Sequence, residues 1–207
     1  MFKVVEHPLV QNSLGLLRDI NTPQEEFRRL CSGIASILCY EAARDWELEE
    51  ATVPLWTGEQ LKVRRLSDRK IILLPILRAG LGMCEGLQQL FPSAPVYHLG
   101  IKRDETTLQP RVYYDQLPSN LEAYYGIILD PMLATGGSLD AAITRIKGCG
   151  CEDITVLCIV AAPEGVNLLE ERHPDVKIYA AALDERLNSK GYILPGLGDA
   201  GDRMFGT

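Results

Sequence analysis

The chain has 207 residues, enough for one well-buried domain with a small appended lobe, and its 46% apolar, 24% charged composition is that of a soluble globular protein. A formal net charge of −7 argues against a general nucleic-acid binder, which needs a basic surface to displace condensed counterions. Any polyanionic substrate must therefore be held by a local cluster of donors.

The amino-terminal stretch has no basic region followed by an apolar core and a cleavage site. No later segment reaches the roughly 18 uninterrupted apolar residues of a membrane span, so a cytoplasmic protein without membrane contact is expected. The six cysteines contain no C-x-x-C pair and lie mostly in apolar runs, as reduced core thiols do. Cys149, Cys151 and His173 have the wrong spacing for a zinc knuckle, and no metal site of the protein's own is expected.

In chain order, Thr22-Pro23-Gln24-Glu25 reads as a capping box with proline at the first helical position, and Phe27, Leu30, Ile34, Ile37 and Leu38 continue one apolar face. A hairpin over 51–56 and 61–66 follows, turning at Thr57-Gly58. Strands are then predicted over 71–77, 96–101, 127–130, 154–160 and 176–182, and helices over 81–91, 139–147 and 164–172. Such alternation implies right-handed βαβ units: an α/β fold with an open parallel sheet flanked by helices, preceded by an N-terminal helix. Ligands of such sheets bind outside the carboxyl ends of the strands. Two segments break the rhythm. Residues 102–119 are polar, with Tyr113 and Tyr114 near the far end, and read either as a solvated hairpin or as a lid. Residues 183–207 are rich in glycine but carry Tyr192, Ile193, Leu194, Leu197, Met204 and Phe205, too apolar for a free tail, so they read as a packed irregular lobe.

The most informative stretch is GIILDPMLATGGS at 126–138. Ile127, Ile128 and Leu129 suit a strand buried on both faces, and Asp130 follows at its carboxyl end. From Ser138 the apolar residues Leu139, Ala142, Ile143 and Ile146 take helical spacing, which makes Ser138 the expected N-cap. Unpaired amides and the positive end of the dipole collect there, where an anion is stabilised. Thr135 and Ser138 add hydroxyl donors, Gly136 and Gly137 admit a phosphate to the backbone, and Asp130 suits a ribose diol. No lysine precedes Ser138, so this is not a P-loop, and no G-x-G-x-x-G or G-x-S-x-G stands here.

This stretch resembles the phosphoribosyl-pyrophosphate motif of type I phosphoribosyltransferases, and its DPMLATGGS form resembles that of the uracil phosphoribosyltransferases. Many of these enzymes carry a second acid where this chain has Pro131, a departure that fits the uracil branch and leaves one ribose carboxylate. ILRAGLGM at 76–83 is similar to the family's pyrophosphate loop, which implies a leaving-group role for Arg78 and places the family's non-proline cis peptide at Arg78-Ala79. GIKRDETTLQPRVYYDQLP at 100–118 resembles the flexible loop, with Arg103 as second pyrophosphate ligand. KGYILPGLGDAGDRMFGT at 190–207 is similar to the C-terminal signature. That likeness puts uracil at Ile193 and Gly198-Asp199-Ala200, with Asp199 also near the ribose and, through water, a Mg²⁺ ion carried by the pyrophosphate. Arg186 stands where a small residue is more usual, outside this site.

The resemblance implies a glycosyltransferase that joins uracil to 5-phospho-α-D-ribose 1-diphosphate (PRPP), giving UMP and diphosphate in pyrimidine salvage. Catalytic roles fall to Asp130, Arg78 and Arg103. PRPP contacts are expected from Arg78, Arg103, Asp130, Pro131, Met132, Leu133, Ala134, Thr135, Gly136, Gly137, Ser138 and Asp199. It further implies a homodimer or higher homo-oligomer and a GTP activator. One domain spans 1–207, with a core over about 68–182, a base-binding hood over about 183–207 and an N-terminal part over 1–67. A nucleotide-sensing regulator of the same fold, or a transferase for another base, are the alternatives.

Overall fold

The computed structural model describes residues 1–66, 70–103 and 110–207, apart from the side chain of Arg103. The elements run β1 (Phe2–Val4), α1 (Pro8–Arg18), α2 (Gln24–Ala42), β2 (Leu48–Pro54), β3 (Gln60–Leu66), β4 (Lys70–Leu77), α3 (Leu81–Leu90), β5 (Leu99–Arg103) and β6 (Pro110–Asp115). They continue with β7 (Tyr124–Leu129), β8 (Met132–Leu133), α4 (Gly137–Lys147), β9 (Asp153–Ala161), α5 (Pro163–Arg172), β10 (Lys177–Leu183), β11 (Arg186–Leu187), β12 (Ile193–Leu194) and α6 (Ala200–Phe205).

The main sheet has the order β1-β10-β9-β7-β4-β5-β6, with β8 added beside β9. All its pairings are parallel except β5 with β6 at one edge. The apolar runs explain the centre. In β4 and β9 nearly every residue is buried on both faces, as a parallel strand covered by helices requires. One face packs under α1, α2 and α3 through residues such as Phe27, Ile34, Leu38 and Leu87, and the other under α4 and α5 through Ile143, Ile146 and Leu169. Helix α2 earns its place by spacing: Phe27, Leu30, Cys31, Ile34, Ala35, Leu38, Cys39 and Ala42 form one buried face. All six cysteines are buried.

Several expectations need correction. The capping box does not form: Pro23 is the N-cap of α2 with no side-chain cap bond, and the Thr22 hydroxyl donates instead to Leu16 O. Ser138 is not the N-cap of α4. That place falls to Gly136, because the turn needs a left-handed residue (φ 84°) and only glycine enters that region freely. The second strand of the core starts at Leu99 rather than 96, Val96 making only an isolated bridge to Leu73. The C-terminal lobe is more regular than its composition suggests, containing the β11–β12 ribbon and α6. Helix α1 and β1 leave no clear trace in the sequence: β1 is three residues long, and α1 begins at a proline after a histidine cap, His7 Nδ1 accepting from Leu9 N. Of the segment 102–119, the described part forms the antiparallel β5–β6 edge, while 104–109 lie outside the described residues.

Candidate active site

Chain geometry brings the cradle and the C-terminal lobe together at the carboxyl end of β7. A cavity of about 290 Å³ is lined by Asp130, Met132, Leu133, Ala134, Thr135, Gly136, Ser138 and Leu139 from the cradle, and by Gly191, Tyr192 and Asp199 from the lobe. A pocket of this size with convergent polar groups is what a small-molecule site requires.

The cradle is rigid for local reasons. Pro131 O accepts from both Ile159 N and Val160 N at 3.0 Å, and Leu133 O accepts from Ala162 N at 2.8 Å, so the segment after β7 is tied to the end of β9. At Gly136 a Cβ would stand 3.0 Å from both Gly165 O and the Leu168 side chain, which compounds the demand of its positive φ. Helix α4 carries no side-chain cap, so its amino end meets the cavity beside Thr135 and Ser138. Asp130 Oδ1 accepts from Met132 N at 3.2 Å. Burial pushes its carboxyl up to about 7, the single amide bond pulling in the opposite direction.

Asp199 caps the short α6, its carboxylate accepting from Asp202 N at 3.0 Å. Arg78 lies at the rim, where Nη2 meets Asp202 Oδ1 at 2.9 Å and Nη1 donates to Thr207 Oγ1 at 3.1 Å. A Cβ on Gly201 would be 3.3 Å from Asp199 Oδ1 and 3.6 Å from Arg78 Nη2, so this carboxylate and this guanidinium flank the same backbone. The cis peptide of the loop is Leu77-Arg78, one bond before the expected Arg78-Ala79.

Of the residues expected at the site, Asp130, Met132, Leu133, Ala134, Thr135, Gly136, Ser138 and Asp199 share the cavity wall. Pro131 is buried behind the strand end, and Gly137 follows Gly136 as the first residue of α4. Ile193 and Ala200 are buried in the apolar cluster with Leu197 and Met204, while Gly198 is exposed. The side chain of Arg103 lies outside the described residues. Missed from the sequence were Tyr192 and Gly191 in the wall and Asp202 as the partner of Arg78. The signal for Asp202 was available, since Asp199 and Asp202 lie three apart across the start of a helix. Arg186 is exposed, paired with Glu185 at 3.3 Å.

Among the described residues no group of three or more His, Cys, Asp or Glu could hold a metal ion. His173 is buried 2.9 Å from Asp140, which Arg172 also reaches at 2.6 Å. Asp130 and Asp199 offer two hard carboxylates to one cavity. That donor set suits a Mg²⁺ ion brought in by substrate phosphates rather than a dedicated protein cage.

Comparison with known proteins agrees with this geometry. A family model described as uracil phosphoribosyltransferase matches residues 4–207. A uracil phosphoribosyltransferase of Finegoldia magna is 52% identical over 204 residues, covering 99% of this chain and 97% of the relative. One from Bacillus cytotoxicus is 51% identical with the same coverage. The solved AQ2163 protein of Aquifex aeolicus superposes with a TM-score of 0.94 at 42% identity, covering 99% of this chain and 98% of that one. An adenine phosphoribosyltransferase of Trypanosoma brucei shares the fold at a TM-score of 0.57 and 11% identity, over 88% of this chain and 83% of that one. With the cradle, the lobe and these near full-length matches in agreement, the chain belongs to the uracil phosphoribosyltransferase family.

Proposed function

We propose that this protein transfers the 5-phosphoribosyl group of PRPP to N1 of uracil, giving UMP and diphosphate in pyrimidine salvage. The observation that carries the reading is the single cavity in which the Asp130–Ser138 cradle faces Asp199 and Tyr192 of the lobe. The 5′-phosphate sits on the amides of 135–138 at the start of α4, with the Thr135 and Ser138 hydroxyls beside them. Asp130 accepts from the ribose hydroxyls as a carboxylate.

The bond from C1 to pyrophosphate breaks, its electron pair leaving with diphosphate, as the bond to N1 forms, and the N1 proton passes to the diphosphate or to water. Positive charge builds on the ribose and negative charge on the leaving group. Arg78 and Arg103 grip the pyrophosphate with planar forks, Arg78 exchanging Asp202 and Thr207 for phosphate oxygens. A Mg²⁺ ion bound with the pyrophosphate would add charge neutralisation there, with the cavity-wall carboxylate of Asp199 to hold it through water.

Uracil lies against Ile193 and Gly198-Asp199-Ala200, read by backbone groups in fixed order. Cytosine reverses the donor and acceptor at N3 and its neighbour, which leaves buried groups unpaired and discriminates by about 10⁴. Orotate needs a cation, but the nearby Arg203 is committed to Leu197 O, Leu17 O and Asp19 O.

The whole chain acts as one domain. It assembles as a homodimer or higher homo-oligomer, for which the exposed Leu48, Trp56, Leu61 and Leu66 of the β2–β3 hairpin offer apolar surface. A response to GTP and a cytoplasmic location complete the reading. No helix among the described residues is long and apolar enough to cross a membrane. The test is to incubate the protein with Mg²⁺, PRPP and uracil, cytosine, orotate, hypoxanthine or adenine separately, with and without GTP, and to quantify each mononucleotide. Only uracil and close 5-substituted analogues should react; faster consumption of another base sinks the assignment.

A further inference from the structure

The turn that carries the proposed base site is held by side chains from outside the turn itself. Between β12 and α6 the chain passes through a cis Leu194-Pro195 bond and reaches Gly196 at φ 65°, where a Cβ would stand 2.2 Å from Ile193 O. Both backbone groups of Gly196 are occupied by side chains. Its N–H donates to Asp184 Oδ2 at 2.9 Å, and its carbonyl accepts from Arg18 Nη1 at 2.6 Å. Arg18 and Asp184 also grip each other in a two-pronged pair, Nη1 to Oδ2 at 2.9 Å and Nη2 to Oδ1 at 2.5 Å. The next carbonyl, Leu197 O, accepts from Arg203 Nη1 at 2.8 Å.

The clamp therefore joins three distant pieces of chain. Arg18 is the last residue of α1, Asp184 follows β10, and Gly196 sits in the lobe. The Asp184 side chain is 4% exposed and that of Arg18 26% exposed, so water competes little for this carboxylate. Neither residue lines the cavity, and neither belongs to the segments proposed to touch uracil.

We propose that Arg18 and Asp184 are positioning residues for base recognition. By fixing both backbone groups of Gly196 they set the register of the amides and carbonyls at 193 and 198–200 against the uracil edge. The inference rests on the reading that the base lies in the lobe. A fixed turn explains how a backbone rim discriminates between bases without a dedicated side chain: a shift of about 1 Å costs up to 10²-fold. The cradle at 130–138 has its own ties to β9, so the clamp acts chiefly on uracil and reaches PRPP only through Asp199.

The test compares uracil and PRPP KM values for the full-length wild type, Arg18→Lys, the double variant Arg18→Met with Asp184→Asn, and Ile193→Ala. Arg18→Lys keeps a cation opposite Asp184 but loses the planar fork that reaches three oxygens at once. The double variant leaves no unpaired buried charge and so stays folded. Both are expected to raise the uracil KM by about 10- to 100-fold, with the PRPP KM within about twofold, and to narrow the uracil-to-cytosine preference. The double variant should show the larger effect, with Arg18→Lys partly rescued. A fall in kcat and thermal stability with both KM values unchanged makes the pair structural and overturns the proposal. If Ile193→Ala alone moves the uracil KM, the clamp fails while the lobe reading stands. If none of the variants moves it, the base lies elsewhere and both fall.

Discussion

The cradle and the lobe solve the same problem, holding backbone amides still around a ligand, by opposite means. In the cradle, thirteen consecutive residues from 126 to 138 supply the strand, the acid, the turn and the helix start, and the ties to β9 are main-chain bonds. In the lobe, the turn is held by side chains, and these reach across the chain to α1. Arg18 lies 178 residues from the Gly196 carbonyl it meets, and Arg203 reaches Leu17 O across 186 residues. A cradle of this kind tolerates surface change but not a change in its own residues, whereas the lobe is vulnerable from places that touch no ligand.

The strongest way to break the cradle is Asp130→Asn, which keeps the shape and removes the ribose carboxylate's charge. A loss of about 2–4 kcal/mol in transition-state stabilisation is expected, read as kcat/KM. Near-normal turnover would make Asp130 a strand-end residue only. The same variant has a stability signature of known sign. Burial raises the Asp130 carboxyl from the usual carboxylate range to about 7 in the folded chain. The folded state therefore holds an extra proton from about pH 4 up to that value, and stability falls as pH rises through the window. The asparagine variant should melt higher than the wild type near about pH 8 and alike near about pH 4, since only the charged form is penalised. Identical melting profiles at both values would show that the carboxyl is well solvated.

Gly136→Ala is next. A left-handed φ and a Cβ at 3.0 Å from Gly165 O oppose it, so a stability loss of about 1–3 kcal/mol is expected, with a PRPP KM raised more than that for uracil. An unchanged PRPP KM in folded protein would mean that the turn does not meet the phosphate.

The converse test in the lobe is Arg203→Lys. The guanidinium serves three carbonyls and stacks 4.3 Å from the centre of the Phe27 ring, a set that one ammonium cannot reproduce. A rise of about tenfold in uracil KM with an unmoved PRPP KM is the expected outcome, equal to about 1.4 kcal/mol. Matching shifts in both would erase the contrast between the two regions. Arg186→Ala should do least: the side chain is exposed and, in the described contacts, paired only to its neighbour Glu185, so stability should stay within about 0.5 kcal/mol. A clear change in uracil KM there would extend the positioning network to β11.

The amino-acid sequence by itself determined the α/β alternation, the buried parallel strands and the cradle, because each depends on periodicity or on groups a few residues apart. Ile127 to Leu129 had to be a covered strand, and Leu139, Ala142, Ile143 and Ile146 had to be one face of a helix. Even there the start of α4 escaped, since Ser138 looks like a cap until the positive φ at Gly136 is known. The lobe was legible only as apolar chain that must pack. Its helix is six residues long, its ribbon strands two each, and neither length leaves a periodic trace. Only the tertiary structure decided that Arg78 meets Asp202 across 124 residues, and that Arg18 and Asp184 close on Gly196. An arginine or an aspartate looks the same in a sequence whether it is solvated or committed to a partner. Which of these it becomes depends on which surfaces folding brings within hydrogen-bonding distance and removes from water.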